Sequence, residues 1–313
     1  MDLKDKKVLV FGSGKSGIGA ADLLGAEGAR PVIYDGNEKT DREQVLGKTA
    51  GTYPVDFYAG ELPEEVLESL DLVVLSPGVP TDIPLVKRFY EMGLPVWGEV
   101  ELAYRTGKGR VLAITGTNGK TTTTALLGKI MKDACPSVFV VGNIGTPYTS
   151  KAREMQENSV TVAEISSFQL ETVDTFRPTV SAILNITPDH LDRHHTMEAY
   201  IEAKEAIAKN QQKGETCVLN YEDEVLREFE KKTQASVLYF SSRRRLDTGV
   251  YLEDDRILYA ANGETIEVCQ TEELQILGVH NYENVMAAVA MAAAYGTPMH
   301  VIREAVKRFG GVE

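Results

Sequence analysis

The residues best suited to chemistry sit in one run, Val111 to Thr122, which reads Val-Leu-Ala-Ile-Thr-Gly-Thr-Asn-Gly-Lys-Thr-Thr. A buried strand, a glycine-containing turn and a helix start follow one another there, the layout of a phosphate-binding loop. Gly116 and Gly119 let the backbone turn tightly and, with Thr117 and Asn118, aim its N–H groups inward. Lys120 adds a point charge for the outer phosphates, and Thr121, followed by Thr122, offers a hydroxyl to magnesium. The general pattern has a glycine where this chain has Ile114, so the loop is a compact variant.

Beyond this loop, Glu164 closes an apolar strand and precedes Ile165-Ser166-Ser167-Phe168-Gln169-Leu170, which places its carboxylate level with the phosphate loop. That position suits a magnesium ligand or an activating base; the plainer alternative is a buried acid serving only a local N-cap. The turn Thr187-Pro188-Asp189-His190-Leu191-Asp192-Arg193-His194-His195 crowds polar groups together, but the spacing fits no common zinc pattern and some of these residues serve to cap the next helix. Lys204 falls on the same helical stripe as Met197, Tyr200, Ile201 and Ala208. Either its stem packs while the amine reaches solvent, or the amine is kept for a site, as a cation for phosphate or as a carbamate. Asn281 and Asn284 lie three apart at the start of an Ala-rich helix; Asn281 is a natural cap, and the pair suggests a base or ribose reader.

The elements that hold these residues alternate strand and helix, which implies mainly parallel sheets covered on both faces. Strand Lys7–Phe11 leads into Gly12-Ser13-Gly14-Lys15-Ser16-Gly17 and a helix, a dinucleotide fingerprint in its proper setting, and a second strand ends in Asp35 where such folds place an acid for a ribose hydroxyl. Ser76-Pro77-Gly78 follows another strand, either as an ordinary tight turn or at the ligand-binding edge of the sheet. The connector Gly107-Lys108-Gly109 marks a domain boundary, and Asn262-Gly263 signals a hairpin. At 313 residues the chain suits two domains. Three scattered cysteines, Cys135, Cys217 and Cys269, fit a reducing cytoplasm, and no apolar run reaches membrane-spanning length. A net charge of −13 argues against loose binding to nucleic acid or an anionic membrane.

Set in order, these motifs resemble the Mur ligases of peptidoglycan synthesis. The family likeness rests on Thr115–Thr122, Gly142-Asn143-Ile144-Gly145, Asn185-Ile186-Thr187-Pro188-Asp189-His190-Leu191-Asp192, and His280-Asn281 with Asn284. The segment Glu164–Glu171, with Gly12–Gly17 and Ser76-Pro77-Gly78, is similar to that of the member that adds D-glutamate to UDP-N-acetylmuramoyl-L-alanine. The resemblance implies an α/β protein with a Rossmann-like parallel-sheet domain, residues 1–106, that binds the UDP-substrate without hydride transfer, and a P-loop ATPase-like central domain, residues 107–313. Family members carry a third, C-terminal domain with the amino-acid site. The chain stops where that domain would begin, so the expectation is a truncated ligase that binds substrate and turns over little or not at all.

The implied reaction is ATP-driven amide formation through an acyl phosphate. Resemblance gives Gly116, Thr117, Asn118, Gly119, Lys120, Thr121, Thr122, Asn281 and Asn284 to ATP, the last two facing adenine. It gives Lys15, Ser16, Asp35, Ser76, Pro77, Gly78, Asn143 and His190 to the UDP-substrate. Of two magnesium ions, one would go to Thr121 and Glu164 and the other to His190 with carbamylated Lys204; Lys120, Glu164, His190 and Lys204 form the catalytic set. After the acid the family often has Thr-Arg, where this chain has Gly36-Asn37. The expected setting is a cytoplasmic monomer in cell-wall synthesis, and so in cell shape and division, with no nucleic-acid or membrane partner. Rival readings are a UDP-N-acetylmuramate:L-alanine ligase, a non-catalytic nucleotide-binding module, and a nicotinamide oxidoreductase built on Gly12–Gly17, which leaves Gly116–Thr122 unexplained.

Overall fold

The computed structural model describes residues 2–143 and 145–312, so Ile144 of the Gly142–Gly145 motif and the terminal Glu313 lie outside the described residues. The chain forms two compact units. The first comprises Met1–Lys108 with two later excursions, Thr146–Met155 and Phe168–Phe176; the second comprises Gly109–Gly145, Gln156–Ser167 and Arg177–Glu313.

In the first unit, five strands pair in parallel: β1 (Lys7–Phe11), β2 (Arg30–Asp35), β3 (Asp56–Ala59), β4 (Leu72–Leu75) and β5 (Val96–Gly98), in the order β3-β2-β1-β4-β5. The inner strands read as near-continuous apolar runs because helices cover both faces. Leu9, Val32, Val73 and Leu75 form a core with Val66, Val86 and Phe89 from the helices. Two elements escaped the periodicity. Strand β3 is only half buried, and the charged stretch after Asp35 contains the short helix Arg42–Leu46, capped by Asp41 accepting from Gln44 N.

The second unit is built on nine strands: β6 (Arg110–Thr115), β7 (Val138–Gly142), β8 (Val160–Glu164), β9 (Val180–Ile183), β10 (Thr216–Asn220), β11 (Ser236–Ser241), β12 (Gly249–Glu253), β13 (Arg256–Ala261) and β14 (Glu264–Gln270). Their order is β14-β13-β12-β11-β10-β9-β6-β8-β7, parallel except for the antiparallel β12-β13-β14 edge. Asn262-Gly263 turns β13 into β14 as expected, and this hairpin extends the main sheet. Strand β6 lies between β8 and β9. Leu126, Ile130 and Met131 of helix Lys120–Ala134 and the run Val285–Ala292 of helix Val279–Tyr295 pack in its core.

The structure shifts three boundaries that bear on function. The apolar run 180–186 stops pairing as a strand at Ile183, because the next residues turn to bond the phosphate loop. The helix through Lys204 ends at Glu205 and tightens into a 3₁₀ turn over Ala206–Ala208. The Ala-rich helix opens at Val279 with Gly278 as its N-cap, so Asn281 is not the cap; its amide donates back to Leu277 O at 2.9 Å.

Candidate nucleotide and phosphate sites

The phosphate loop connects the end of β6 to helix Lys120–Ala134, with Gly119 as the helix N-cap. Gly119 has φ 85°, and a Cβ there would stand 2.1 Å from Asn284 Oδ1, so both backbone conformation and space demand glycine. Asn284 is therefore packed onto the loop. It is 8% exposed, its Oδ1 accepts from Thr123 Oγ1 at 3.4 Å, and its amide donates to Asn281 Oδ1 at 3.4 Å.

A segment after β9 fastens the other side of the loop. Thr117 N donates to Asn185 O at 3.0 Å and Asn118 N to Asn185 Oδ1 at 2.9 Å, while Asn185 Nδ2 donates to Asn118 O at 3.1 Å. Thr187 N donates to Thr117 Oγ1 at 3.0 Å, and that hydroxyl lies 3.0 Å from Tyr200 OH. The sequence alone does not single out these three residues: Asn185 and Thr187 stand within the run 185–192 without a sign of their partners, and Tyr200, one turn before Lys204, reads only as core.

Two lysines converge on one carbonyl. Lys120 Nζ donates to Gly116 O and to Thr117 O, both at 2.9 Å, and Lys204 Nζ donates to Gly116 O at 2.8 Å. Lys204 is 2% exposed and its ammonium lies 4.8 Å from the centroid of the Tyr200 ring, so the amine points inward and does not reach solvent. Burial, then the neighbouring Lys120 charge, push Lys204 down to about 7 against the pull of Asp189. Burial also lowers Lys120, opposed by Glu164 and Asp189. A free amine is thus accessible at neutral pH, the form that reacts with carbon dioxide or an acyl donor.

Glu164 ends β8 with 3% exposure, opposite Ile114 of β6 and Gly142 of β7. Its Oε1 accepts from Asn143 Nδ2 at 3.3 Å, and its carbonyl accepts from Asn143 N at 2.8 Å. Parallel pairing therefore brings Asn143, Glu164 and the phosphate loop to the carboxyl ends of adjacent strands, where open α/β sheets bind ligands. His190 sits at φ 50° before the short helix Leu191–His194, its side chain half exposed and 3.5 Å from Asp189. His194 is the buried histidine of this turn, with Nε2 3.0 Å from Ser167 Oγ and its ring 5.2 Å from Tyr200. Burial first, then nearby cationic groups, hold its pKa below the usual value.

No group of three or more His, Cys, Asp or Glu side chains gathers at one point among the described residues. A lone buried carboxylate beside a phosphate loop fits magnesium, which keeps several waters and takes further oxygens from substrate phosphates. Thr121 and Glu164 suit that use. His190 with Lys204 does not as long as Lys204 is an ammonium, and becomes an oxygen site only as a carbamate.

In the first unit the fingerprint turn is drawn tight: a Cβ on Gly17 would lie 1.8 Å from Gly12 O. Lys15 and Ser16 open the helix that follows. Asp35 accepts from Ser13 Oγ and, at 3.0 Å, from Asn37 N. Burial would raise this carboxyl, but those hydrogen bonds outweigh it and hold the pKa below the ordinary value. Ser76 N donates to Phe11 O at 2.9 Å and Val79 N to Ser76 O at 2.9 Å, a turn that sets Ser76-Pro77-Gly78 at the carboxyl end of β4.

The family model for the Mur ligase middle domain matches residues 114–292, and that for the Mur ligase MurD-like N-terminal domain matches residues 6–98. The chain belongs to the Mur ligase family. This Mur ligase is 56% identical over 313 residues to the UDP-N-acetylmuramoylalanine--D-glutamate ligase of Lachnoclostridium phytofermentans, covering all of this chain and 69% of the relative. It is 53% identical, with the same coverage, to the protein of that name from Lachnospira eligens. Among solved structures, it shares its fold with the UDP-N-acetylmuramate:L-alanyl-gamma-D-glutamyl-meso-diaminopimelate ligase of Neisseria meningitides. That match has a TM-score of 0.65 at 19% identity and covers 98% of this chain and 99% of the other. The family's members are ATP-dependent acid–amino-acid ligases of peptidoglycan precursor synthesis. No helix among the described residues is long and apolar enough to cross a membrane.

Proposed function

We propose that this Mur ligase adds D-glutamate to UDP-N-acetylmuramoyl-L-alanine in the cytoplasm, as a monomer, with residues 1–106 binding the UDP-substrate and residues 107–313 binding ATP. The observation that carries the reading is the junction of Gly116–Thr122, Glu164 and Lys204 at the carboxyl ends of β6 and β8. The names of the relatives at 56% and 53% identity support the choice of amino acid.

On this reading the loop N–H groups of Gly116–Thr122 take the β- and γ-phosphates, and Lys120 turns from its loop carbonyls to the γ-phosphate. Asn281 and Asn284 flank the adenine, Asn284 also holding the loop in shape. Lys15, Ser16, Asp35 and Ser76-Pro77-Gly78 take the uridine diphosphate, and Asn143 and His190 the muramoyl end. The substrate carboxylate attacks the γ-phosphorus and ADP leaves; the amine of D-glutamate then displaces phosphate from the acyl phosphate. Both steps gather negative charge on oxygen, which Lys120 and the inward N–H groups stabilise. Magnesium held by Thr121 and Glu164, with a second ion at His190 and a carbamylated Lys204, would neutralise phosphate charge when bound.

Titration of the chain with UDP-N-acetylmuramate and with its L-alanyl derivative tests the substrate. Tighter binding of the L-alanyl form is expected, and preference for the form without alanine would move the protein to the L-alanine-adding step.

A further inference from the structure

Away from the phosphate loop, the second unit contains a cavity of about 390 Å³ beside the end of the helix that carries Lys204. Its volume lies within the ~300–1,000 Å³ of small-molecule sites. Ala206 and Ala208, in the 3₁₀ turn that ends that helix, line it together with Phe229 of helix Glu224–Glu230 and with Lys232 and Thr233 just after that helix. Phe229 is 5% exposed and Ala208 2%, so part of the wall is apolar. Lys204 and Glu205 are chain neighbours that face different ways: the Lys204 amine reaches Gly116 O, whereas Glu205 lines the cavity. None of the residues assigned above to ATP, magnesium or the UDP-substrate lines it.

The charges around the cavity are unevenly placed. The Glu205 side chain is 12% exposed, and that of its partner, Lys232, is 62% exposed. Lys232 Nζ stands 3.4 and 3.5 Å from the two carboxylate oxygens, beyond the ~2.7–2.9 Å of a charge-assisted hydrogen bond, so the pair is loose. Glu202 and Lys209, the other charged residues of the lining, are exposed. A cation entering the cavity can take over Glu205 and leave Lys232 to the water it already meets. An anion that drew Lys232 away would strand a mostly buried carboxylate, which is the costly exchange. The asymmetry selects a cationic head, and Phe229 with the two alanines selects an apolar body behind it.

We propose that this cavity is a binding site for a small organic cation, an ammonium or amidinium on an aromatic or short aliphatic body, with Glu205 accepting from the head and Phe229 packing against the body. Lys232 is then the competitor that a ligand displaces, and Glu205 the residue that sets the preferred charge.

The test is calorimetric titration of the 313-residue chain with benzamidine, benzamide and benzoate, which share a shape and differ in charge. Benzamidine should bind at least ~10-fold tighter than the other two, the size of one charge-assisted hydrogen bond. Glu205→Gln should lower its affinity by roughly 10- to 100-fold. Lys232→Ala should raise it, since the competing ammonium is gone, and Lys232 is exposed enough that its loss leaves the packing alone. Absence of benzamidine binding to the wild type, binding no tighter than that of benzamide, equal affinity of wild type and E205Q, or a loss in K232A matching that in E205Q would overturn the proposal.

Discussion

Replacing Glu101 by glutamine removes the charge that fastens the excursion 168–176 to the first unit. Its side chain is fully buried. Oε1 accepts from Arg105 Nε at 2.6 Å, Thr175 N at 2.9 Å and Thr175 Oγ1 at 2.5 Å; Oε2 accepts from Asp174 N at 2.9 Å and Phe176 N at 3.0 Å. A glutamine does least harm with its oxygen toward the first set, which leaves its NH₂ facing two N–H donors, that of Phe176 buried and that of Asp174 partly so. At ~1–3 kcal/mol for each stranded donor the change costs about 4 kcal/mol. With a urea m-value of ~2 kcal/mol/M the midpoint falls by about 2 M.

The single tryptophan of the chain, Trp97, lies 3% exposed in the same unit with the Arg105 guanidinium 4.2 Å from its ring centroid, so its fluorescence reports this transition. The acid response gives a second readout. Burial would raise Glu101, yet its hydrogen bonds from Thr175, Asp174 and Arg105 hold it below the ordinary 4.5. Its contribution to stability is therefore complete above the unfolded value and disappears as pH falls through the lower folded one. In E101Q that part of the acid limb flattens. A midpoint shift under about 0.5 M in urea, or an unchanged acid limb, would refute the reasoning.

Other predictions concern the second unit and the thiols. Lys120→Ala should lower ATP affinity at least ~10-fold while UDP-substrate affinity stays, because the charge-assisted phosphate contact belongs to one unit only; equal loss of both ligands would point to misfolding. Gly119→Ala forces a Cβ against Asn284 at φ 85°, a strain of ~1–3 kcal/mol, so nucleotide binding and thermal stability should fall together. With Cys217 and Cys269 buried and pushed up to about 12 by that burial, Cys135 should be the thiol that a small disulfide reagent titrates first in the native chain. Mass mapping that finds Cys217 modified first would contradict this.

The phosphate loop, Glu164 and the inward-facing Lys204 were legible because each is written in a few neighbouring residues: a glycine-lysine-threonine run, an acid closing an apolar strand, a lysine on an apolar stripe. The Asn185–Asn118 and Tyr200–Thr117 latches were not, since they depend on which strand pairs beside β6. Glu101 gave no local sign either. A glutamate two residues from Glu99 in a short helix reads as a solvated face, and only the return of 174–176 supplies the N–H groups that bury it. The two excursions into the first unit were hidden for the same reason, as no composition change marks them.

The central claim is that the first unit, despite its dinucleotide fingerprint, holds a uridine diphosphate sugar. Calorimetric titration of the chain with UDP-N-acetylmuramoyl-L-alanine, with NADH as the control ligand, tests it most directly. The account predicts heat of binding with the muramoyl nucleotide and none with NADH. Binding of NADH with silence toward the muramoyl nucleotide would contradict it.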